Sequence, residues 1–300
     1  MPKFQAFNSL PSGSVVAERI ESAYPDLSSA LKKFADFVIS EPMQAAHLSI
    51  NETVHASGVS VATANRFARK LGFDGYAQFR SELIRGFEPM LAPVERLKQT
   101  ISEGSTVSDI ITASLAEDIQ NLRENELGLE SGRFETAVDM IIKAERVYLL
   151  AFDNAAALGG IFAHRLATAG KSVTESTGGK LSASRHLALY GPDDLVIVIA
   201  FPRYIRDTVE MAQAIHRRGL PILAITDTQA SPIASLGTLT LYIQARRTIG
   251  STSDTAILAV LEALAAAVSA HLPGAAEAGE HFADLAYPWL IGPDEKPDKK

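Results

Sequence analysis

Apolar residues recur along this chain with two different periods, and the change falls near Arg146. Before that point the spacing is helical. Leu31, Phe34, Ala35 and Val38 share one face of a helix over 27–40, and Pro42 follows its end. The stretch 50–79 reads INETVHASGVSVATANRFARKLGFDGYAQF. It predicts a short helix capped by Ser49, with Val54 on its buried side, reversing at Gly58. Glycine suits that reversal because it takes a positive φ without steric cost. Ser60 then caps a second helix running to about Leu71, with Gly72 as the stop. On this helix Ala64, Phe67, Ala68 and Leu71 fall at i, i+3, i+4 and i+7 and form one apolar stripe. A further helix is expected over 76–87, with Pro89 and Pro93 marking the exit of an all-helical domain over 26–88. Residues 1–25, with Pro11, Gly13 and Pro25, read as a loose arm. Residues 89–142 read as linker helices. Val107, Ile110, Ile111, Leu115, Ile119 and Leu122 keep helical spacing there, as a dimer interface would.

Beyond Arg146 short apolar runs alternate with helical spacing. Strands are expected at 147–152, 171–175, 195–201, 221–226 and 238–244. Helices are expected at 156–169, 181–189, 207–218 and 255–272. Strands alternating with helices mean a parallel sheet covered on both faces, here a five-stranded α/β domain over 143–272. The tail from Pro273 reads as partly disordered, with Tyr287, Pro288, Trp289 and Leu290 available to dock on the domain. The most apolar stretch, 255–272, is broken by Glu262 and rich in alanine, so it predicts a buried helix and no membrane contact.

Composition narrows this picture. A chain of 300 residues, 47% apolar and 21% charged, has the profile of a globular protein of about two domains. The absence of cysteine excludes disulfides and thiolate metal sites and suits a reducing, cytoplasmic setting. The first twenty residues lack a continuous apolar core, so no secretory signal is expected. No paired-histidine spacing occurs, so neither a metal nor a cofactor is expected. The net charge of −7 lies wholly outside residues 1–90, which carry nine basic and nine acidic side chains. Within 60–86, five basic residues (Arg66, Arg69, Lys70, Arg80, Arg85) outnumber Asp74 and Glu82.

That local excess coincides with the helix after Gly58. Its stripe turns inward and leaves Ser60, Ala62, Thr63, Asn65, Arg66, Arg69 and Lys70 as candidates to meet double-stranded DNA. Small side chains admit a helix to the major groove, amide and guanidinium groups read base edges, and cations hold phosphates. Arg66 is open to a second role as an internal brace of the turn.

The run Val59, Ser60, Thr63, Arg66, Phe67, Lys70, Leu71, Gly72, Phe73, Gly75, Tyr76 resembles the RpiR family of bacterial transcription regulators. The resemblance spans roughly residues 20–272. It implies an all-α helix-turn-helix domain followed by an α/β sugar isomerase (SIS) domain with a five-stranded parallel sheet. It also implies a homodimer or higher homo-oligomer that binds an operator, and an effector that alters the binding. In such domains the effector usually carries a phosphate, held by hydroxyls of loops after the first strand and after a later one.

Here those loops differ. The first reads Ala151-Phe152-Asp153-Asn154-Ala155-Ala156, with Ala155 at the serine position and Asp153 where an anion docks. The second reads Ala200-Phe201-Pro202-Arg203-Tyr204-Ile205, with Ala200, Pro202 and Ile205 at the three hydroxyl positions. Each lost donor is worth about 1 kcal/mol or more to a charged acceptor. Arg203 and Arg206 can substitute, because guanidinium binds oxyanions in a fork. The expected effector is therefore a carboxylate or a polyol without phosphate, or a phosphate held by arginine. The residues assigned to it are Asp153, Asn154, Ala155, Phe201, Arg203, Tyr204 and Arg206. Asp153 is also open to a role as a helix cap. The alternative function is a phosphosugar isomerase with a helical accessory domain. It would use Glu175 and His186 as base and acid, whereas the regulator needs no catalytic residue.

Overall fold

The computed structural model describes Leu10 and residues 14–176 and 178–289, and it divides into two units, Met1–Glu103 and Gly104–Lys300. Among the described residues the first unit is all helix: α1 (Val15–Ala23), α2 (Ser29–Ser40), α3 (Pro42–His47), α4 (Ile50–Ser57), α5 (Val61–Lys70) and α6 (Tyr76–Ser102). Part of the expected loose arm is α1. Ser14 caps it by accepting from the Ala17 N–H, and Val16 and Ile20 are buried in the helical core. An i, i+4 apolar pair behind a serine cap is enough to dock a short helix when a core stands ready for it. Pro42 does not merely follow α2; it opens α3, where its missing N–H costs nothing. Pro89 and Pro93 do not end the last helix of the unit, since α6 runs through both to Ser102. A proline removes one hydrogen bond of the ladder and leaves the others to carry the helix onward.

The centre of this unit is aromatic. Phe67 of α5 meets Phe34 of α2 edge-on at 5.1 Å between ring centroids and Phe79 of α6 edge-on at 5.6 Å. The stripe of α5 is buried as its spacing requires: Ala64, Phe67 and Ala68 are inaccessible and Leu71 nearly so. Gly58 takes φ 65° and ends α4. Ser49 and Glu52 form a reciprocal cap at the other end of α4.

The second unit follows as α7 (Val107–Leu127), α8 (Arg133–Lys143), β1 (Val147–Leu150), α9 (Asn154–Thr168), β2 (Val173–Glu175), α10 (Lys180–Leu187) and β3 (Leu195–Ile199). It continues as α11 (Arg206–Arg217), β4 (Ile222–Thr226), β5 (Leu239–Tyr242), α12 (Asp254–His271) and α13 (Ala275–Ala286). The five strands are parallel in the order β2-β1-β3-β4-β5. Alternate side chains enter two cores. Leu149, Ile197, Ile199 and Ile225 face α8, α9 and α12. Tyr148, Leu150, Val198 and Ala224 face α10 and α11. Gly159 lets α9 lie against β1, because a Cβ there would stand 2.5 Å from Leu149.

Two expectations change here, and the buried helix expected over 255–272 is found. The stretch assigned to linkers includes α8, whose Ala137 and Ile141 are inaccessible parts of the sheet's core. The tail holds the helix α13, and Tyr287 and Trp289 after it are exposed and undocked; Leu290 lies outside the described residues. The long apolar helix α12 is the one described helix with the length and hydropathy of a membrane span. Its Ile257, Leu261, Leu264 and Val268 are packed into the core.

The attachment of α7 reverses the usual pattern. Its polar side faces the protein. Asn125 donates to the Gln244 carbonyl (2.9 Å) and accepts from the Gln244 N–H (2.7 Å). Asn121 does the same for Arg246 at 2.8 and 3.0 Å. Asp118 accepts from Arg247 and from the Ser253 hydroxyl, both at 2.5 Å. The apolar residues stand outward instead, with Val107 75%, Leu115 58% and Ile119 51% exposed.

Burial pushes the Asp118 carboxyl pKa up. Hydrogen bonds from Ser253 and Arg247, the Arg247 charge and a bond from Thr255 outweigh it and hold it below the usual aspartate range. A carboxyl depressed on folding contributes in full above its unfolded value and loses that contribution as pH falls through the folded one. Asp118→Ala, which leaves the largely buried Arg247 facing a lost partner, is expected to lower unfolding free energy by about 3 kcal/mol. Urea melts between neutral pH and pH about 3 check both points, and Asp118→Asn should flatten the acid limb. An unchanged limb would show that folding does not depress the Asp118 pKa.

Candidate nucleic-acid interface and ligand cavity

Helix α5 is held at three points, each by a polar group meeting a helix end. Ser60 caps its start, accepting from the Thr63 N–H at 3.1 Å. At its end Arg19 of α1 donates to the Leu71 and Gly72 carbonyls, both at 3.1 Å, while its guanidinium lies 4.4 Å from the Phe73 ring centroid. Before it, Lys33 of α2 donates to the Gly58 carbonyl at 3.0 Å. A cation at a helix C-terminus satisfies orphan carbonyls and matches the macrodipole. Apolar spacing gives no sign of these two cations, because both act on backbone carbonyls that only the tertiary fold brings to them.

Of the residues assigned to DNA, Ser60, Ala62, Arg66, Arg69 and Lys70 are exposed. The other two are turned to internal work. Thr63 is buried, with its hydroxyl 2.9 Å from Ser60 and 3.4 Å from Arg66, so it braces the turn and one arginine. Asn65 uses both ends of its amide: Nδ2 donates to the Val61 carbonyl (3.2 Å) and Oδ1 accepts from the Tyr76 N–H (3.1 Å). That N–H belongs to the first residue of α6, which has no side-chain cap of its own. Asn65 therefore ties the exposed helix to the next one.

The cavity lies in the second unit, over the carboxyl ends of β1 and β3, where the strand order turns back. Its volume is about 310 Å³. Asp153, Asn154, Ala155, Phe201 and Arg203 line it, as expected. Ala200, Pro202 and Ile205, the three positions without a hydroxyl, also line it. Tyr204 and Arg206 do not. The Tyr204 hydroxyl turns away to donate to Asp227 at 2.6 Å, and burial followed by that bond pushes its pKa well up. Arg206 is the first residue of α11 and exposed.

A segment outside the two expected loops completes the cavity: Gly250, Ser251, Thr252 and Asp254, where α12 begins. The signal was present. A G-S-T-S-D run ahead of a long apolar helix is a capping signature, and Ser253 does cap α12. Asn154 donates to Asp254 at 2.8 Å, and Arg203 donates to the Ser251 hydroxyl at 3.0 Å. Asp153 stands at the start of α9 but makes no capping bond. Among the described residues the only non-glycine residues with positive φ are Asp153 (55°) and Arg203 (67°), and both line this cavity. Each such residue costs on the order of 1–3 kcal/mol, a load that collects at ligand sites. Glu175 and His186 are not lining residues, and they lie on opposite faces of the sheet. Glu175 approaches Gly160 of α9, while the His186 ring is 6.1 Å from that of Tyr148.

A helix held by its ends with a cationic outer face, and a switch-point cavity on a doubly wound sheet, define a DNA-binding regulator with a ligand-binding domain. The chain belongs to the RpiR family of transcriptional regulators: the rpiR-family helix-turn-helix domain matches residues 14–89 and the SIS domain matches residues 140–270. It is 25% identical to an uncharacterised HTH-type transcriptional regulator of Thermotoga maritima over 87% of this chain and 94% of that one. It is 26% identical to the HTH-type transcriptional regulator HexR of Pseudomonas aeruginosa, over 75% and 78%. Among solved structures, the sugar isomerase domain of an RpiR transcription factor from Sphaerobacter thermophilus covers 59% of this chain and 98% of its own, at 29% identity and TM-score 0.55. The Vibrio vulnificus NanR protein complexed with ManNAc-6P has the same fold over 93% of this chain and 100% of its own, at 17% identity and TM-score 0.55.

Asn65→Ala is expected to lower unfolding free energy by about 1–2 kcal/mol, the value of a lost cap, and to weaken binding to every duplex alike. Thermal melts beside binding isotherms on a set of duplexes check it. Loss confined to one base position, with stability intact, would restore Asn65 as a base reader.

Proposed function

We propose that α5 enters the major groove of an operator through Ala62, Arg66, Arg69 and Lys70, and that a small polar effector in the cavity changes operator affinity. The observation that carries this reading is the division of α5 itself. One stripe is spent on the aromatic core, and the opposite side presents three cations and a small residue to solvent. A helix about 10–12 Å across fits a groove about 12 Å wide only where its contacting side chains are short or flexible. The protein acts in the cytoplasm as a non-enzymatic regulator. In support, neither Glu175 nor His186 reaches the cavity, so the isomerase reading lacks its acid and base at the ligand. The residues that replace the phosphate cradle favour a carbohydrate-like or carboxylate effector over a simple sugar phosphate.

Pairing of two chains is part of the proposal. Val107, Ile111, Leu115 and Ile119 form an unbroken i±4 row on the outer side of α7. Two copies of such a row interdigitate about a two-fold axis. A two-fold protein reads a pseudo-palindrome with half-sites about 34 Å apart or a multiple of it.

Selection from random duplexes is expected to enrich such a palindrome; an unstructured pool would defeat the reading. Arg69→Ala and Lys70→Ala should each weaken binding on all sequences and reduce the slope of log K against log salt by about 1. Isotherms at four salt concentrations measure this. Leu115→Glu with Ile119→Glu should convert a two-chain particle to single chains by sedimentation equilibrium, whereas an unchanged mass would place the pairing surface elsewhere.

A further inference from the structure

Resting on the reading of this cavity as the effector site, we infer that the effector is a zwitterion: a cationic nitrogen against Asp153 and a carboxylate against Arg203. Three helices direct their N-termini to this side of the sheet, and each already has an aspartate there. Asp153 stands at the cap of α9, Asp254 opens α12, and Asp207 is the second residue of α11. A helix N-terminus attracts an anion through free N–H groups and partial positive charge. Two of these carboxylates, Asp153 and Asp254, line the cavity itself, so a phosphate dianion meets repulsion there.

The remaining charges are not spent alike. Asp254 accepts from Asn154 at 2.8 Å and from the Thr252 hydroxyl at 3.4 Å. Asp207 pairs with Lys180 at 3.0 Å. The Asp153 carboxylate has no hydrogen bond or ion pair among the described residues (only the backbone carbonyl is used, accepting from the Ala156 N–H), and the Arg203 guanidinium has the Ser251 hydroxyl alone. No ion pair joins Asp153 to Arg203, although both line the same 310 Å³ space. Both are held in backbone conformations that glycine favours. One loop thus presents an unneutralised carboxylate and the other an unneutralised guanidinium, separated by more than an ion-pair distance. A ligand with one charge leaves one of these two groups facing a poorer environment than water. A ligand with both charges satisfies both. Phe152, Leu158 and Phe201 supply apolar walls for the body between them.

Four sugar derivatives test the claim on the full chain: 2-amino-2-deoxygluconate (both charges), gluconate (carboxylate alone), glucosamine (amine alone) and glucose 6-phosphate. Calorimetric titration is expected to rank the amino acid sugar first by about tenfold or more, the value of one charge-assisted bond. Asp153→Asn keeps a residue that tolerates positive φ. It should erase the preference over gluconate without weakening gluconate itself. Arg203→Gln should erase the preference over glucosamine. Melts of the ligand-free variants confirm that each is folded. Gluconate binding as tightly as the amino form, or a preference that survives Asp153→Asn, overturns the zwitterion. Tight binding of glucose 6-phosphate overturns it while leaving the cavity as the effector site. No heat from any of the four at millimolar concentration counts against the zwitterion and the effector site together.

Discussion

Phe67 has no surface left to water, and its ring is fixed edge-on by one aromatic neighbour on each side. That placement decides how the first unit works. A ten-residue helix is too short to persist on propensity alone. It exists because one stripe of four residues is buried, and the stripe leaves it no freedom to roll. Once Phe67 is seated, Arg66, Arg69 and Lys70 must point away from the core. The polar contacts at its ends, from Ser60, Arg19 and Lys33, then limit sliding along its axis. Removing a fully buried phenylalanine costs about 3–5 kcal/mol, a large part of the stability of a domain this size. The surface proposed to meet DNA is thus a consequence of packing on the opposite side.

The spacing of apolar residues disclosed most of this without coordinates. The stripe of α5, the glycine reversal at Gly58, the five strands and their parallel direction all follow from period and punctuation. What spacing did not disclose was the purpose of polar groups. Thr63 and Asn65 share the sequence character of a DNA-facing residue, but both are consumed by hydrogen bonds within the fold. Tyr204 lies beside the cavity in sequence and turns to Asp227 in space. A polar side chain next to an unsatisfied backbone group is bound to it more cheaply than to a distant ligand. Which groups are unsatisfied is settled by tertiary structure. The loop over 250–254 was legible as a cap but not as a cavity wall, because only the closed sheet brings it beside β1 and β3.

Helix α7 shows the same limit from the other direction. An apolar stripe is ordinarily read as the buried side, and here it is the exposed one. The reason lies just beyond the last strand. Gln244 and Arg246 follow β5 at the rim of the sheet, with backbone groups that need partners. Asn121 and Asn125, one helical turn apart, each offer a donor and an acceptor in the pattern of a neighbouring strand. Two asparagine amides thereby close an edge that would otherwise invite another chain. Their use leaves the apolar row free for a different contact.

The same helix is wired to the cavity. Ser253 caps α12 and donates to Asp118, while its neighbours Thr252 and Asp254 line the ligand space. Asp118 also holds Arg247, which donates to Ser114 one turn earlier on α7. Buried charge networks of this kind do not deform gradually: with one member displaced, the others are left unpaired in a poor solvent. A ligand that moves the 250–254 loop therefore strains the contacts that hold α7. It changes the balance only by as much as it prefers one arrangement of the network to the other. In the chain, α7 begins five residues after α6 ends. The arrangement of Ser253, Asp118 and Arg247 thus stands between the ligand and the covalent path to the DNA-reading unit.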